Sequence, residues 1–156
     1  MVGELVFIPI AREELGAIDG SVRLGNRVAH RVTPELLAAL DYAPEQREDA
    51  EYAALILASV AALATHGERL VLVADVAPAL VSQGRDLDNG ECVLSEVPMR
   101  SLTCWFSEAP EADWTAAAAA AKGLDIDTAW GFDEVQELLS SSDLLWNDVE
   151  EYRRGL

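Results

Sequence analysis

The chain has 156 residues and a formal net charge of −17 at pH 7. This length is typical of one domain, and the 51% hydrophobic content excludes a disordered chain. A surface of that charge repels phosphate backbones and anionic lipids, so we expect neither nucleic acid nor a membrane as a partner.

Sequence signals of export, metal binding and cofactor binding are missing. No run of about 18 apolar residues occurs, and the first residues read as a strand, so we expect a cytoplasmic protein. Cys92 and Cys104 are the only cysteines and lie far apart, so we expect buried thiols and no metal site. Phosphate-loop and dinucleotide motifs do not occur, and we expect no cofactor.

The first part of the chain predicts a strand, a short helix and a second strand. Leu5 to Ile10 is continuously apolar, as in a strand covered on both faces. Residues 11–18 predict a short helix. Arg27 to Val32 alternates in polarity, as a half-exposed strand does.

Two helices with clear end signals follow. Thr33 can accept hydrogen bonds from free amides, and Pro34 suits the first helical position, so a helix is predicted from Pro34 to about Leu40. A longer helix is predicted from Pro44 to His66, with Gly67 as its left-handed cap.

The remainder predicts three strands, an alanine-rich helix and an acidic helical end. The strands are residues 69–76, 91–97 and 102–106, and residues 83–90 are predicted to be a polar, flexible loop. Residues 133–153 are predicted to form one or two helices, with Leu145 and Trp146 turned inward. The acidic C-terminal segment, about 124–156, belongs to a single predicted domain, 1–156.

The order of elements predicts the fold class. Helical sequence separates the first strand from the run at 69–76, which predicts a crossover and a parallel pairing between them. The predicted fold is α/β, a single domain with a mixed, partly parallel sheet of about five strands packed with about five helices.

Three charged residues are candidates for ligand binding. In open α/β sheets, ligands bind at the carboxyl ends of parallel strands, where Arg12, Asp75 and Glu108 are expected. Asp75 is the strongest of the three candidates, although an aspartate at the end of a strand can instead cap the following turn. Arg12 can equally be a solvated helix residue.

The acidic C-terminal segment carries the candidates for partner binding. Nine carboxylates occur from Asp125 to Glu151 without a Lys or Arg. They form either a solvated face or a docking surface for a basic partner. The candidate residues are Trp130, Asp133, Glu134, Glu137 and Asp143.

A local basic stretch lies near the N-terminus. Arg23, Arg27 and Arg31 lie between Gly20 and Pro34, where no acid occurs. They either hold an anionic ligand or pair with acids of the same fold or of a second subunit.

Catalytic and calcium signals are weak. His30 and His66 are the only histidines, and each suits its position in a strand or at a helix end. Asp86 to Glu91 alternates acids before a glycine, but its register does not match a calcium loop. We interpret that segment as a turn and expect no catalytic residue and no metal site.

Four short segments carry a resemblance to a known family. They are Glu51 to Leu55 on the long helix, Arg69 to Val76, Glu96 to Met99, and Asp143 to Trp146 before the last acids. Together they resemble an uncharacterised family of small acidic actinobacterial proteins, a domain of unknown function. The resemblance implies an actinobacterial, cytoplasmic protein and no particular activity.

These observations favour a binding protein over an enzyme. The first hypothesis is a non-enzymatic cytoplasmic protein that uses its acidic C-terminal surface to engage a protein partner, for example a basic one, or its own copy. One alternative is a small-molecule ligand-binding protein or enzyme with a pocket at the strand carboxyl ends. The other is a nucleic-acid mimic that blocks a basic groove.

Overall fold

The structure is a computed structural model that describes residues 3–16 and 24–148. Its strands are β1 Glu4–Pro9, β2 Leu24–His30, β3 Val71–Val76, β4 Val81–Gln83, β5 Glu91–Val97, β6 Leu102–Ser107 and β7 Leu145–Asp148. Its helices are α1 Arg12–Gly16, α2 Pro34–Leu40, α3 Arg47–His66, α4 Thr115–Ala121, α5 Ile126–Trp130 and α6 Asp133–Ser141. Among these described helices, none combines the length and apolarity needed to cross a membrane.

The described strands form one sheet in the order β4-β5-β2-β1-β3-β6-β7. Every neighbouring pair is antiparallel. In the central pair, Glu4 of β1 lies opposite Val76 of β3, and Pro9 lies opposite Val71. The α/β class is therefore confirmed, while the prediction of a partly parallel sheet of about five strands is wrong.

The direction of β3 follows from where helix α3 ends. The helix has 20 residues, about 30 Å, and packs against β1 and β3. It ends beside the carboxyl end of β1, where Ile10 N donates to Leu70 O at 3.1 Å. The chain therefore enters β3 next to the end of β1 and runs back along it. A sequence pattern of strand, helices and strand does not reveal at which end of the sheet the helices stop.

Sequence patterns also do not predict the two edge strands. β4 has three residues and borders the segment predicted to be a flexible loop. β7 lies in the segment predicted to be helical, which is a correction: α6 ends at Ser141, and Leu145 and Trp146 are 42% and 60% exposed. The predicted helical residues 149–153 lie outside the described residues.

Contacts with β6 explain why residues 145–148 are a strand. Trp105 Nε1 donates to Asp148 O at 3.2 Å, and Asn147 Nδ2 donates to Ser107 Oγ at 3.0 Å. These hydrogen-bond partners are distant in sequence, so the local pattern of apolar residues cannot predict that residues 145–148 pair with β6.

The central strands β1 and β3 are buried on both faces of the sheet. On one face, Phe7, Val71 and Val73 pack with apolar side chains of α2 to α6. On the other face, Ile8 and Leu72 pack with residues of α1, β2, β5 and β6. The predicted burial of the first strand on both sides is confirmed, because its central residues are at most 5% exposed.

Strands β1 and β2 separate after a short pairing in which Phe7 lies opposite His30. Pro9 has no N–H for the ladder, and its carbonyl accepts a hydrogen bond from Arg27 Nη2 at 3.0 Å. Asn26 in β2 has a positive φ of 51°. The separation leaves a gap beside the helices.

The helix ends agree with the sequence signals. Thr33 Oγ1 accepts a hydrogen bond from Leu36 N at 3.0 Å, and Pro34 is the first residue of α2. A single 3-10 turn at Pro44–Gln46 precedes α3. Gly67 caps α3 with a φ of 84°, and its N–H donates to Leu63 O at 3.0 Å.

Gly67→Ala tests the left-handed cap of α3. No atom lies within 4 Å of the new Cβ, so the cost comes from backbone strain alone. We expect the free energy of unfolding to fall by about 1 kcal/mol in urea denaturation. Gly131→Ala is the matched control, because Gly131 has a φ of −76°, which alanine adopts freely. Equal losses at both glycines would contradict the explanation.

Candidate functional site

The three strand-end candidates do not share a pocket. Because β3 is antiparallel to its neighbours, Arg12 and Glu108 lie near its start, and Asp75 lies near its end, about 20 Å away along the strand. Asp75 is exposed. Arg12 is also exposed, and its Nη2 pairs with Glu68 Oε2 at 2.8 Å. The structure therefore brings Arg12 and Glu108 to one end of the sheet and separates them from Asp75.

Glu108 is held by a buried arginine that the sequence patterns did not single out. The side chains of Arg69 and Glu108 are each 1% exposed. Arg69 donates to Glu108 Oε1 from Nη2 at 2.7 Å and from Nε at 3.0 Å, and its backbone N donates to Oε2 at 3.0 Å. Nη2 also donates to Ser142 O at 3.0 Å, in the link between α6 and β7. Both carboxylate oxygens are thus engaged within the fold.

The basic stretch pairs with acids near the N-terminus. Arg27 forms a two-pronged ion pair with Glu14, in which Nη2 lies 2.9 Å from Oε1. Arg31 Nη1 lies 2.7 Å from Glu4 Oε2. Arg23 lies outside the described residues. Of the two readings left open, pairing within the same fold is the one that the structure shows for Arg27 and Arg31.

Four of the partner-binding candidates meet at the start of α6. We call Trp130, Phe132, Asp133, Glu134 and Glu137 the acidic–aromatic surface. All five are exposed, and the two aromatic side chains are 38% and 40% exposed. The opposite side of α6 is buried in the core, so its three carboxylates point outward on one side. Asp143 is also exposed but lies beyond α6, in the link to β7.

The acids of this surface are not neutralised within the described residues. Ion pairs there join arginines to Glu4, Glu14, Glu51, Glu68 and Glu108. None joins a basic side chain to the carboxylates of α6 or to Asp143. The five arginines of these ion pairs are thus matched elsewhere, and the exposed carboxylates of α6 face water.

A cleft of about 700 Å³ lies where β1 and β2 separate. Its walls come from β2, the last turn of α3, the start of α5 and the loop before β5. Both histidines of the chain line this cleft, His30 from the sheet and His66 from the end of α3. Sequence patterns could not group these residues, because they come from four segments that only the tertiary fold brings together.

Asn89 organises the polar wall of the cleft. Its Nδ2 donates to Asp86 Oδ2 at 2.7 Å and to Asp127 Oδ1 at 3.0 Å. Its backbone O lies 2.8 Å from His30 Nδ1. A carbonyl only accepts, so the ring carries its proton on Nδ1 and leaves Nε2 as an acceptor. One asparagine thereby links a histidine and two carboxylates.

The environment of His30 favours the neutral ring. Burial lowers its pKa, and this effect outweighs the carbonyl of Asn89 and the charges of Glu91 and Asp86, which act in the opposite direction. Among the described residues, no three His, Cys, Asp or Glu side chains are arranged to hold a metal ion. Burial also raises the pKa of the Cys92 thiol to about 12, so that thiol stays protonated at neutral pH.

Arg69→Met tests the buried ion pair. The change leaves the Glu108 carboxylate buried without its partner, and we expect the free energy of unfolding to fall by about 3–5 kcal/mol in urea denaturation. Adding Glu108→Leu removes the unpaired charge, so the double variant should regain much of that stability. A double variant as unstable as the sum of the two single variants would contradict this account.

His30→Gln tests the pH dependence of stability. The folded state binds a proton to His30 less readily than the unfolded chain, so stability is lost as pH falls below the unfolded pKa of about 6.5. The slope from one proton is at most about 1.4 kcal/mol per pH unit. Between about pH 7.5 and 5.5, the variant should lose less stability than the native chain in urea denaturation. Parallel pH profiles for the two proteins would refute the assignment.

The comparisons with known proteins give a family and no activity. No curated protein and no solved structure matches the chain. Residues 5–154 match the model of a family of unknown function, DUF6912, so the match includes every described strand and helix except the first residue of β1. This confirms the resemblance to an uncharacterised family, and the chain belongs to the family of unknown function DUF6912.

Proposed function

We propose that this protein is a non-catalytic, cytoplasmic binding protein, of actinobacterial origin, that engages a basic protein partner through the acidic–aromatic surface. The observation that carries the proposal is the run Asp133, Glu134 and Glu137, three outward-facing carboxylates without a basic partner in the described residues, beside exposed Trp130 and Phe132. Charge and aromatic area together fit an arginine-containing surface.

The spacing of the acids favours recognition over stability. Asp133 and Glu137 are four residues apart on one helix, where like charges repel and cost about 0.2–0.5 kcal/mol. Only the first-turn acids gain from the helix dipole, and Glu137 lies beyond that turn. A basic partner would turn this repulsion into attraction.

The exposed aromatic side chains argue against a purely solubilising role. Acids alone keep a surface hydrated, whereas exposed Trp and Phe oppose solubility and are enriched at binding hot spots. The backbone at Trp130 is held by α6, since its O accepts a hydrogen bond from Gln136 Nε2 at 2.7 Å. A backbone that is already ordered loses little entropy on binding.

Charge also selects the kind of partner. A second copy of the chain would bring the same carboxylates together, so self-association through this surface is disfavoured. A basic protein gains attraction at long range and associates faster at low salt. If that partner is itself a nucleic-acid-binding protein, the protein acts as the nucleic-acid mimic named among the alternatives, and added DNA will displace it.

Replacement of the three α6 acids tests the proposal. At low salt, the native chain should capture a partner protein from a lysate of the source organism. The variant Asp133→Asn/Glu134→Gln/Glu137→Gln should fail to capture that protein. The variant should fold at least as stably as the native chain, because like-charge repulsion is relieved. Mass spectrometry identifies the partner, and titration of the purified partner should show at least about tenfold weaker binding, or 1.4 kcal/mol.

The control removes the same charge elsewhere. Glu45→Gln/Glu48→Gln/Asp49→Asn changes three exposed acids at the start of α3 and should leave binding unchanged. The proposal is overturned if the lysate yields no protein that binds the control variant and fails to bind the α6 variant. If both triple variants bind the partner equally weakly, the loss comes from net charge alone, and the acidic–aromatic surface is rejected as the binding site.

A further inference from the structure

We propose that the cleft between β2, α3 and α5 binds a small uncharged phenol, whose hydroxyl group donates a hydrogen bond to His30 Nε2 and whose ring packs against Val28 and Ala61. This site is separate from the acidic–aromatic surface and does not depend on the function proposed for that surface. The inference rests on an unpaired acceptor of a buried side chain, on an apolar wall and on the charges around the cleft.

The His30 side chain lies on the face of the sheet that carries the helices. His30 is paired with Phe7, and residues opposite each other in neighbouring strands share a face. The Phe7 side chain packs in the core between the sheet and the helices. His30 Nδ1 donates to the carbonyl of Asn89, which is not part of the cleft wall, whereas His30 itself lines the cleft. The opposite edge of the ring, which carries Nε2, is therefore the edge that faces the cleft.

Nε2 of His30 is an acceptor that the described residues leave unpaired. The ring carries its proton on Nδ1, so Nε2 has a lone pair, and no described residue donates to it. Among the described side-chain atoms, the one that is both unpaired and sealed from water is Arg31 Nε, so His30 Nε2 is reached through the cleft. Yet His30 is only 1% exposed. A ligand that donates to an acceptor in so confined a place gains more than it would on an open surface.

An apolar wall next to His30 fits an aromatic ring. Val28 lies on the same side of β2 as His30, since the two are two residues apart in one strand, and it is 49% exposed. Ala61 of α3 and Leu124 before α5 are partly exposed and also line the cleft. A ring that covers these side chains gains from their removal from water. The volume of about 700 Å³ lies within the range of about 300–1,000 Å³ that ligand sites occupy.

The charges of the cleft favour an uncharged ligand. Four carboxylates and two arginines line it, and one of these arginines, Arg27, is already paired with Glu14. The excess of acids disfavours a carboxylate or phosphate ligand. The side-chain amide of Asn89 bridges Asp86 and Asp127, so an ammonium group has no place between those two acids. A neutral hydroxyl group needs neither an acid nor a base and can donate to a neutral histidine.

p-Cresol and p-methylanisole test the hydrogen bond as a matched pair, because they share one aromatic body and differ in a hydroxyl against a methoxy group. The hydroxyl group can donate to Nε2, whereas the ether oxygen only accepts. p-Cresol should shift the Nε2 signal of His30 in NMR spectra of the ring nitrogens and should bind at least about tenfold more tightly than the ether. The inference is overturned if p-cresol at about 10 mM leaves this signal unchanged, or if the ether binds as tightly.

Filling the cleft tests the place of binding without a change at His30. Ala61→Leu puts a larger side chain into the space for the ring and should weaken p-cresol binding at least about tenfold. Ala53→Leu is the matched control, since Ala53 is partly exposed on the same helix but does not line the cleft. Urea denaturation checks that both variants fold. Unchanged affinity in the Ala61 variant, or an equal loss in both variants, would reject this cleft as the binding site.

Discussion

The buried ion pair of Arg69 and Glu108 holds three parts of the chain together. Arg69 lies just before β3, Glu108 follows β6, and the same guanidinium binds Ser142 O in the link from α6 to β7. Charges buried this deeply are tolerated only when their hydrogen bonds are satisfied. The pair therefore fixes where β6 ends beside β3 and where the acidic segment returns to the sheet. Two features of the C-terminal part, the outward face of α6 and the edge strand β7, depend on that anchor.

The antiparallel sheet decides where a ligand site can form. In a parallel sheet, the carboxyl ends of the strands would meet at one edge and group Arg12, Asp75 and Glu108. Here each strand reverses, and those residues are divided between opposite ends of β3. The opening arises instead where Pro9 interrupts the pairing of β1 with β2 and the two strands separate. The cleft is thus a consequence of one imperfect strand pair in the sheet.

The charge of the chain is divided unevenly over the fold. Arginines near the N-terminus are matched with acids of the same region, as Arg27 is with Glu14 and Arg31 with Glu4. Few basic side chains then remain to balance the acids of α6. The exposed carboxylates of α6 therefore keep their share of the net charge of −17. A charged surface of this kind attracts cations at long range.

The sequence alone determined those features that depend on neighbouring residues. Thr33, Pro34 and Gly67 mark helix ends because capping and backbone strain act within one turn. The apolar run of β1 shows that this strand is buried, and the absence of Lys and Arg between Asp125 and Glu151 shows that this stretch is acidic. Exposure of the acids on α6 could be anticipated in this way, since no nearby base competes for them.

Only the tertiary structure decided how the elements meet. The direction of β3, the edge strand β7, the partner of Glu108 and the grouping of His30 with Asp127 all join residues that are distant in the chain. Such contacts form when the helices and sheet pack, and their energies depend on burial and on distances in space. The periodicity of a short segment contains no information on burial or on distances in space. It therefore predicts where a strand or helix lies and not what that element contacts.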